Sequence, residues 1–473
     1  MSATGPDTHD LDGIVDSDAD LDSDEDRVTP ADAMASGQAP APATVDVAMD
    51  AGSVEGGSAD SDADSNADLD DNAHAGVGMD AHPDADADMN VDASADDEAT
   101  GPDAQPSDFV APIRQWISLP KGSCDVRVGT GIADSIGEIL RGPSAGRRVC
   151  ALFVEQDVDA ALLELVQRQL CDAGFNVQTV TLHEAVQRTP EAVVSFFHEL
   201  ARLHVTIDDL VCAVGHVNLL SLATSACNSW CSGVSLTCIP LDSASALEGV
   251  ISPRGLDIDG KSELIDVRGC AKHLFVDLSI INCDPQVESS RLMRALAARI
   301  AMADAEKSYS ALWDRAQELA SGDTHAIADQ LVETLRSSGR LATSTSIGLR
   351  QALGFGGTFV RALQALLPDD VPESTLVAEA LRFTTRLSCG KGELSVEDVL
   401  MSDELLERLD LPQLTCHVDP DLMIRALKED RFLRSSRFLL GLPRSLGRVR
   451  LSTIDDELLA EHVCAWCASR DQK

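Results

Sequence analysis

One glycine-rich stretch, Gly348 to Gln364, has the residue spacing of a tight turn that leads into a helix. Gly354, Gly356 and Gly357 fall within four positions, and apolar residues at helical spacing follow from Phe359. Such a turn holds the N-terminus of a helix close to whatever lies in front of it. If the chain has an active site, we expect this stretch to form its floor.

Two other motifs could do chemistry, but each departs from its template. Gly129 and Gly131 follow a short strand pattern, yet Gly137 comes too late to complete a dinucleotide fingerprint. Cys464 and Cys467 have redox spacing but fall in a predicted last helix without a second pair of ligands. We expect these two cysteines, like most of the thirteen in the chain, to be packed as small apolar residues.

The first 108 residues differ sharply in composition from the rest of the chain. They hold 30 Asp and Glu residues against one basic residue, Arg27, and little apolar bulk. Because burial cannot offset the entropy of ordering such a segment, we predict a disordered acidic tail over 1–108. The tail carries most of the formal net charge of −42, and no basic patch elsewhere indicates nucleic-acid binding.

The sequence contains no apolar run long enough for a membrane span, and its N-terminus lacks the pattern of a signal peptide. We therefore expect a cytoplasmic protein without a membrane partner.

The predicted secondary structure changes near residue 285 from alternating strands and helices to mainly helices. From 109 to 285, short apolar strands such as Arg148 to Glu155 and Leu210 to Gly215 alternate with amphipathic helices, which predicts an α/β, Rossmann-like domain with a mostly parallel sheet. From 286 to 473 the pattern predicts an all-α domain, with a long helical stretch at Val287 to Leu319 and an isolated strand at Arg437 to Leu442. Ligands of parallel sheets bind beyond the carboxyl ends of the strands.

The order of motifs from about residue 120 to 470 resembles the 3-dehydroquinate synthase family. Gly348 to Gln364 is similar to the family's G-L-R-x-x-L-N-F-G-H-T-x-G-H-A-x-E. Asp430-Arg431, followed by the R-F-L-L run from Arg437, resembles its closing D-K-K and R-F-V-L signature. The resemblance implies an α/β nucleotide-binding domain followed by a helical metal-binding domain. It also implies the shikimate-pathway reaction of aromatic amino acid biosynthesis. In that reaction NAD and Zn²⁺ or Co²⁺ support the cyclisation of 3-deoxy-D-arabino-heptulosonate 7-phosphate to 3-dehydroquinate with release of phosphate.

The metal ligands that the resemblance implies are mostly missing. The family binds its metal with one Glu and two His, and the matching positions here are Ala298, Gly357 and Glu373. Two of these residues have no donor side chain, and one carboxylate does not make a zinc site. Arg361 stands where the family's glycine-rich motif has its second histidine. We therefore expect no bound metal at these positions.

The cofactor loop is also altered. The family's G-G-G-x-x-x-D reads here as Gly215 to Ser221, with His216 and Val217 in place of glycines. Their side chains would stand where phosphate oxygens belong, so we expect that NAD does not bind. His216 has no partner identifiable in the sequence and is interpreted as a hydrogen-bonded residue at the rim of the site.

Several charged residues survive at positions that the resemblance assigns to ligands. Lys261, Arg350 and Arg254 match substrate-binding positions. The matching cofactor-binding positions, beside Gly215, are Glu155, Glu184 and Glu248. Each of these charges could equally be a solvated surface residue.

We expect a divergent 3-dehydroquinate synthase-like protein with little or no synthase activity, by resemblance a carbon–oxygen lyase. The alternative is a non-catalytic binding or regulatory homologue. Such a protein could form a homodimer, form a heterodimer with an active enzyme, or bind a small anionic metabolite without turning it over. A different reaction on the same fold, as in iron-dependent alcohol dehydrogenases, needs the same missing groups and is the least favoured hypothesis.

Overall fold

The computed structural model describes residues 109–141 and 148–471, which belong to one compact unit. The predicted acidic tail, residues 1–108, lies outside these residues. No described helix is long and apolar enough to cross a membrane.

The described strands comprise a central sheet and two small hairpins. In chain order they are β1 (Ile113–Leu119), β2 (Gly122–Gly129), β3 (Arg148–Glu155), β4 (Phe175–Leu182), β5 (Leu210–Gly215), β6 (Ser235–Pro240), β7 (Leu256–Ile258), β8 (Lys261–Ile265), β9 (His273–Asp277), β10 (Leu439–Ser445) and β11 (Arg448–Thr453). The seven-stranded sheet has the order β1-β2-β9-β6-β5-β3-β4. Its neighbouring strands are parallel except for β1 and β2, which confirms the mostly parallel sheet.

The described helices alternate with the strands of the sheet and then predominate after β9. They are α1 (Ile136–Leu140), α2 (Ala160–Asp172), α3 (Pro190–Arg202), α4 (Val217–Ser229), α5 (Ser243–Glu248), α6 (Glu288–Asp304), α7 (Glu306–Ser321), α8 (Thr324–Thr343), α9 (Ile347–Gln351), α10 (Gly357–Leu366), α11 (Glu373–Gly390), α12 (Val396–Arg408), α13 (Pro420–Arg434) and α14 (Asp456–Arg470). Because β9 ends at Asp277 and α6 begins at Glu288, the sheet precedes the helical region. The exact domain boundary at 285 and 286 stays a prediction.

The sheet is buried on both faces, as its apolar strands predict. Along β3, Ala151 and Phe153 pack into one hydrophobic cluster, whereas Leu152 and Val154 pack into a second. Successive side chains of a strand point to opposite faces, so these two clusters cover the two sides of the sheet.

Two details of the helical region differ from the expectation. The stretch Val287 to Leu319 is two helices, because Ala305 has an extended backbone (φ −161°, ψ 154°) between α6 and α7. The strand predicted at Arg437 to Leu442 is not isolated: β10 pairs antiparallel with β11. This pairing satisfies backbone groups that a lone strand would leave without partners.

The glycine-rich stretch forms the predicted turn and helix. After α9, a short 3₁₀ turn covers Ala352–Gly354, and Gly356 then adopts a left-handed conformation (φ 77°) as the N-cap of α10. A side chain at Gly356 would be strained in this conformation, which explains the glycine. Helix α10 begins at Gly357, two residues before the predicted Phe359.

Candidate functional site

A cavity of about 780 Å³ is lined by residues of the β7–β8 region and of the helices that follow the sheet. Gly356 and Gly357 of the glycine-rich stretch line it, so the predicted floor lies at this cavity. The lining carries eight arginines against four carboxylates. The cavity is therefore strongly basic although the chain as a whole is acidic.

Four charged side chains form a paired network in the cavity wall. Arg254 donates from Nε to Glu248 Oε2 at 2.6 Å and from Nη2 to Glu373 Oε1 at 2.7 Å. Arg299 donates to the other oxygen of Glu248. Burial by itself would raise the pKa of Glu248, but the charges of Arg254 and Arg299 outweigh it and lower the pKa below its ordinary value. The two carboxylates are therefore occupied by arginine.

A second charged cluster lies beside Gly357. Arg361 donates to both carboxylate oxygens of Asp430, at 2.9 and 3.1 Å, and Arg434 donates to Asp430 Oδ1 at 2.8 Å. A Cβ atom on residue 357 would lie 3.0 Å from Nη1 of Arg361. The guanidinium thus occupies the space next to the glycine.

Two arginines in the cavity lining have no acidic partner among the described residues. Arg350 donates only to the backbone carbonyls of Ser344 and Thr345, at 2.6 and 3.2 Å. Arg431 donates no hydrogen bond to a described residue, and its buried Nε is left without a partner. Burial lowers the pKa of Arg431, although Asp430 acts in the opposite direction. Arg350 and Arg431 are the cationic groups of the lining that remain available to an anion.

The residues present do not fit a zinc ion at the three positions implied by the resemblance. Ala298 is fully buried in the core on α6, and Gly357 offers no side-chain donor. Glu373 offers a carboxylate, but one of its oxygens is bound by Arg254. A single engaged carboxylate cannot supply the three donors of a catalytic zinc site.

The crevice at the carboxyl ends of β3 and β5 is filled by a pair of side chains. Strand β4 lies on one side of β3 and β5 on the other, so the strand order reverses here, where dinucleotides bind in such folds. Glu155 Oε2 accepts the backbone N–H of His216 at 3.1 Å and lies 2.5 Å from His216 Nδ1. A Cβ on Gly215 would come within 2.8 Å of the Glu155 side chain. The carboxylate therefore covers the glycine that a dinucleotide would have to approach.

His216 is hydrogen-bonded, as expected, and the structure supplies the partner that the sequence did not identify. The hydrogen bond with Glu155 raises the pKa of His216, while its partial burial acts against the shift. Because His216 is the N-cap of α4 and its side chain is engaged, this loop does not form the glycine cradle that a pyrophosphate needs. The residues present do not fit NAD in the manner of the family loop.

The remaining predicted site residues fall into two groups. Glu248, Arg254, Arg350 and Glu373 line the cavity, as do Gly357 and Arg361. Lys261, at the start of β8, and Glu184, in the loop after β4, are exposed and lie outside the cavity lining. The structure therefore brings only part of the predicted set together, and the ligand roles of Lys261 and Glu184 stay predictions.

The site also includes residues that sequence reasoning did not select. Arg299 pairs with Glu248, and Arg434 shares Asp430 with Arg361. Arg299 directly follows Ala298, which stands at one of the implied metal-ligand positions. This proximity in sequence was the one signal that could have identified Arg299 as a site residue. Asp157 and Asp242, near His216, follow the ends of β3 and β6 and could have been found by the rule that sites gather at strand ends.

Comparisons with known proteins agree on the kind of fold. No family model matches the chain. The 3-dehydroquinate synthase of Rippkaea orientalis is 20% identical over 354 residues, covering 71% of this chain and 93% of that protein. The 3-dehydroquinate synthase of Nocardia farcinica is 23% identical over 348 residues, covering 71% and 91%.

Solved structures with the same fold include two synthases. A 2-deoxy-scyllo-inosose synthase complexed with carbaglucose-6-phosphate, NAD⁺ and Co²⁺ aligns with a TM-score of 0.65 at 12% identity, covering 74% of this chain and 99% of that one. The 2-epi-5-epi-valiolone synthase of Streptomyces hygroscopicus subsp. jinggangensis 5008, with NAD⁺ and Zn²⁺ bound, aligns with a TM-score of 0.60 at 16% identity, covering 75% and 99%. At these identities the likeness shows the fold alone.

The sheet and the helical region after it define a class of fold: a Rossmann-like sheet followed by helices, which solved synthases share. Within this class, the chain is similar in sequence to the 3-dehydroquinate synthases, at 20 to 23% identity, as the resemblance predicted.

Proposed function

We propose that this protein has kept the synthase fold without the synthase reaction, and that it binds a small anionic metabolite in the arginine-lined cavity. The observation that carries the proposal is the pairing of the charged side chains in the cavity lining. The carboxylates of the lining are largely paired with arginines, whereas Arg350 and Arg431 have no carboxylate partner among the described residues.

Loss of the reaction follows from the donors at the implied metal positions. Ala298, Gly357 and the engaged Glu373 do not replace one Glu and two His. Glu155 and His216 occupy the crevice that the family's cofactor loop would open. The side chains of Arg254, Arg299 and Glu248 instead form hydrogen bonds with one another. In this network both oxygens of Glu248 and one oxygen of Glu373 are bound by arginine.

Retained binding follows from the charge of the lining and from the start of α10. Eight arginines face four carboxylates in a cavity of about 780 Å³. Gly357 and Thr358, the first two residues of α10, also belong to the lining, and a helix N-terminus favours negative charge. A phosphate or carboxylate that contacts Arg431 would give this guanidinium the partner that it lacks within the described chain.

Two measurements test the two halves of the proposal separately. The purified protein is incubated with 3-deoxy-D-arabino-heptulosonate 7-phosphate, NAD and Zn²⁺ or Co²⁺, and phosphate release is followed. We expect no release above the uncatalysed background, and release at enzymatic rates would contradict the loss of catalysis.

Calorimetric titration with the same sugar phosphate and with inorganic phosphate tests anion binding. We expect saturable binding that weakens as ionic strength rises, since the attraction is electrostatic. If neither anion binds, the cavity has no such role. The predicted association with a second copy or with an active enzyme would then be the remaining hypothesis, to be examined by co-purification with an intact synthase.

A further inference from the structure

We propose that Glu155, Asp157 and His216 form a binding site for a divalent first-row metal ion such as Zn²⁺ or Co²⁺. This site would lie at the carboxyl ends of β3 and β5, apart from the positions of the family's metal ligands at Ala298, Gly357 and Glu373. The cation would thus bind in the crevice where related folds bind a dinucleotide. It does not depend on the proposed anion binding.

The fold brings the three donors together from separate parts of the chain. Glu155 ends β3, Asp157 follows two positions later, and His216 comes directly after β5. Strands β3 and β5 are parallel neighbours, with Val154 opposite Val214, so their carboxyl ends coincide. One donor atom from each of the three residues lies within 4.8 Å of the others. Ligands at about 2.0 to 2.2 Å from one ion lie at most about 4.4 Å apart, so the donors have to draw slightly closer to share one ion.

The donor types fit a first-row divalent ion. Two carboxylates and one imidazole supply oxygen and nitrogen ligands of the kind that zinc and its neighbours bind. Glu155 Oε2 and His216 Nδ1 already lie side by side, 2.5 Å apart in a hydrogen bond, and an ion bound by both would displace the shared proton. The His216 side chain is 42% exposed, and Asp157 is exposed, so an ion can enter from solvent and keep water on its open positions.

A carboxylate on the far side of the imidazole would orient the ring. Asp242 Oδ2 lies 3.8 Å from His216 Nε2. Asp242 itself is fixed, because its side chain accepts hydrogen bonds from the backbone N–H and the hydroxyl of Ser245. Metal-binding histidines commonly direct their second nitrogen to such a carboxylate, which sets the tautomer and the ring orientation. Nδ1 is then the nitrogen that faces the ion.

The local charge favours a cation over an anion at this place. Three carboxylates, from Glu155, Asp157 and Asp242, surround one imidazole. The N-terminus of α4 contributes a partial positive charge, equivalent to about half an elementary charge. This partial charge is much smaller than the three negative ones, so a divalent ion would reduce the electrostatic repulsion within the cluster.

The test is metal binding by the full chain after removal of metal with a chelator. We expect calorimetry with Zn²⁺ to show one site with a dissociation constant on the order of micromolar or tighter. We expect Co²⁺ to produce a visible absorption band that His216→Asn abolishes. Either His216→Asn or Asp157→Asn should weaken Zn²⁺ binding at this site about tenfold or more.

Two controls keep the result interpretable. His198→Asn, at an exposed position on α3, should bind metal as the unmodified protein does. The histidines and carboxylates of residues 1–108 are common to all these proteins, so any binding by them cancels in the comparison. Asp157 makes no hydrogen bond or ion pair with a described residue, so Asp157→Asn should fold normally even if His216→Asn does not. Equal binding by the unmodified protein and the folded Asp157→Asn variant, or no binding by either, would overturn the proposal.

Discussion

Arg361 and Gly357 are complementary in shape: the guanidinium of Arg361 fills the space that a side chain at residue 357 would need. A Cβ atom there would meet Nη1 of Arg361 at 3.0 Å, and Asp430 holds that guanidinium through two hydrogen bonds. Both positions carry histidine in the family pattern that the sequence resembles. We therefore expect the effects of substitutions at these two positions to be coupled.

Placing histidine back at position 357 should destabilise the protein. Gly357→His requires Nη1 of Arg361 to move by at least a few tenths of an ångström, and we expect a loss of about 1 to 3 kcal/mol in the free energy of unfolding. The loss should be smaller by about 1 kcal/mol when Arg361 is already alanine, since the clash is then removed. Urea unfolding of the two single variants and the double variant measures this coupling.

Gly354→His is the matched control, because a Cβ at Gly354 has no neighbour within 4 Å. It should cost clearly less than Gly357→His. Equal costs for the two histidine substitutions would show that Arg361 does not restrict residue 357.

The buried network gives a second stability prediction. Glu248→Gln removes the charge that pairs with both Arg254 and Arg299 and leaves two largely buried cations without it. Breaking one partner of a buried ion pair costs about 3 to 5 kcal/mol, and we expect a loss in that range. Glu373→Gln should cost clearly less, because Glu373 is 31% exposed and Arg254 keeps Glu248. Denaturant midpoints of the two variants make the comparison, and a larger loss for Glu373→Gln would contradict the assigned roles.

The sequence predicted the local parts of the fold better than the long-range ones. Apolar runs such as β3 and β5 were evident because all of β5 and the five central residues of β3, 150–154, are buried. Strand β1 was missed, since three of its seven residues are exposed and it lies at the edge of the sheet. Strand β9 is five residues long and is specified by its neighbours β2 and β6, which are distant in the chain. No local pattern encodes such pairing.

The candidate site shows the same limit. The sequence could indicate that Gly357 and Ala298 lack metal donors, because that follows from residue type. It could not indicate that Arg254 pairs with Glu373, which lies 119 positions away. Nor could it show that Glu155 is the partner of His216, 61 positions apart. These contacts exist only once the elements have packed, and they decide which charges remain available.

Arg431 provides a third prediction, on ligand binding. Arg431→Ala should weaken the binding of phosphate or of the sugar phosphate about tenfold or more, because one charge-assisted hydrogen bond is worth about 1.5 to 3 kcal/mol. The same substitution should change the stability by less than about 1 kcal/mol, since the side chain forms no hydrogen bond with a described residue.

Arg437→Ala is the control for the overall charge, because Arg437 is exposed and lies outside the cavity lining. Calorimetry on both variants separates a specific contact from a general loss of positive charge. If both variants lose the same affinity, Arg431 has no particular role in the cavity.

The fourth prediction concerns pH and His273 on β9. Burial lowers the pKa of His273 to about 4, against an ordinary value near 6.5, although Asp125 acts in the opposite direction. The unfolded chain therefore binds a proton between these two values that the folded chain does not. The contribution of neutral His273 to stability is fully present above pH 6.5 and is lost as the pH falls from 6.5 towards 4.

The size of this contribution follows from the shift, at most about 3 kcal/mol over the whole window. His273→Gln should remove that part of the pH dependence, so the free energies of unfolding of variant and unmodified protein should converge as the pH falls. Thr237→Val should keep the dependence, because Thr237 only contacts Nδ1 at 3.2 Å and burial is the main cause of the low pKa. The free energy of unfolding is measured in urea at pH 4.5, 5.5, 6.5 and 7.5. If it changes with pH in His273→Gln by the same amount as in the unmodified protein, His273 is not the source of this pH dependence.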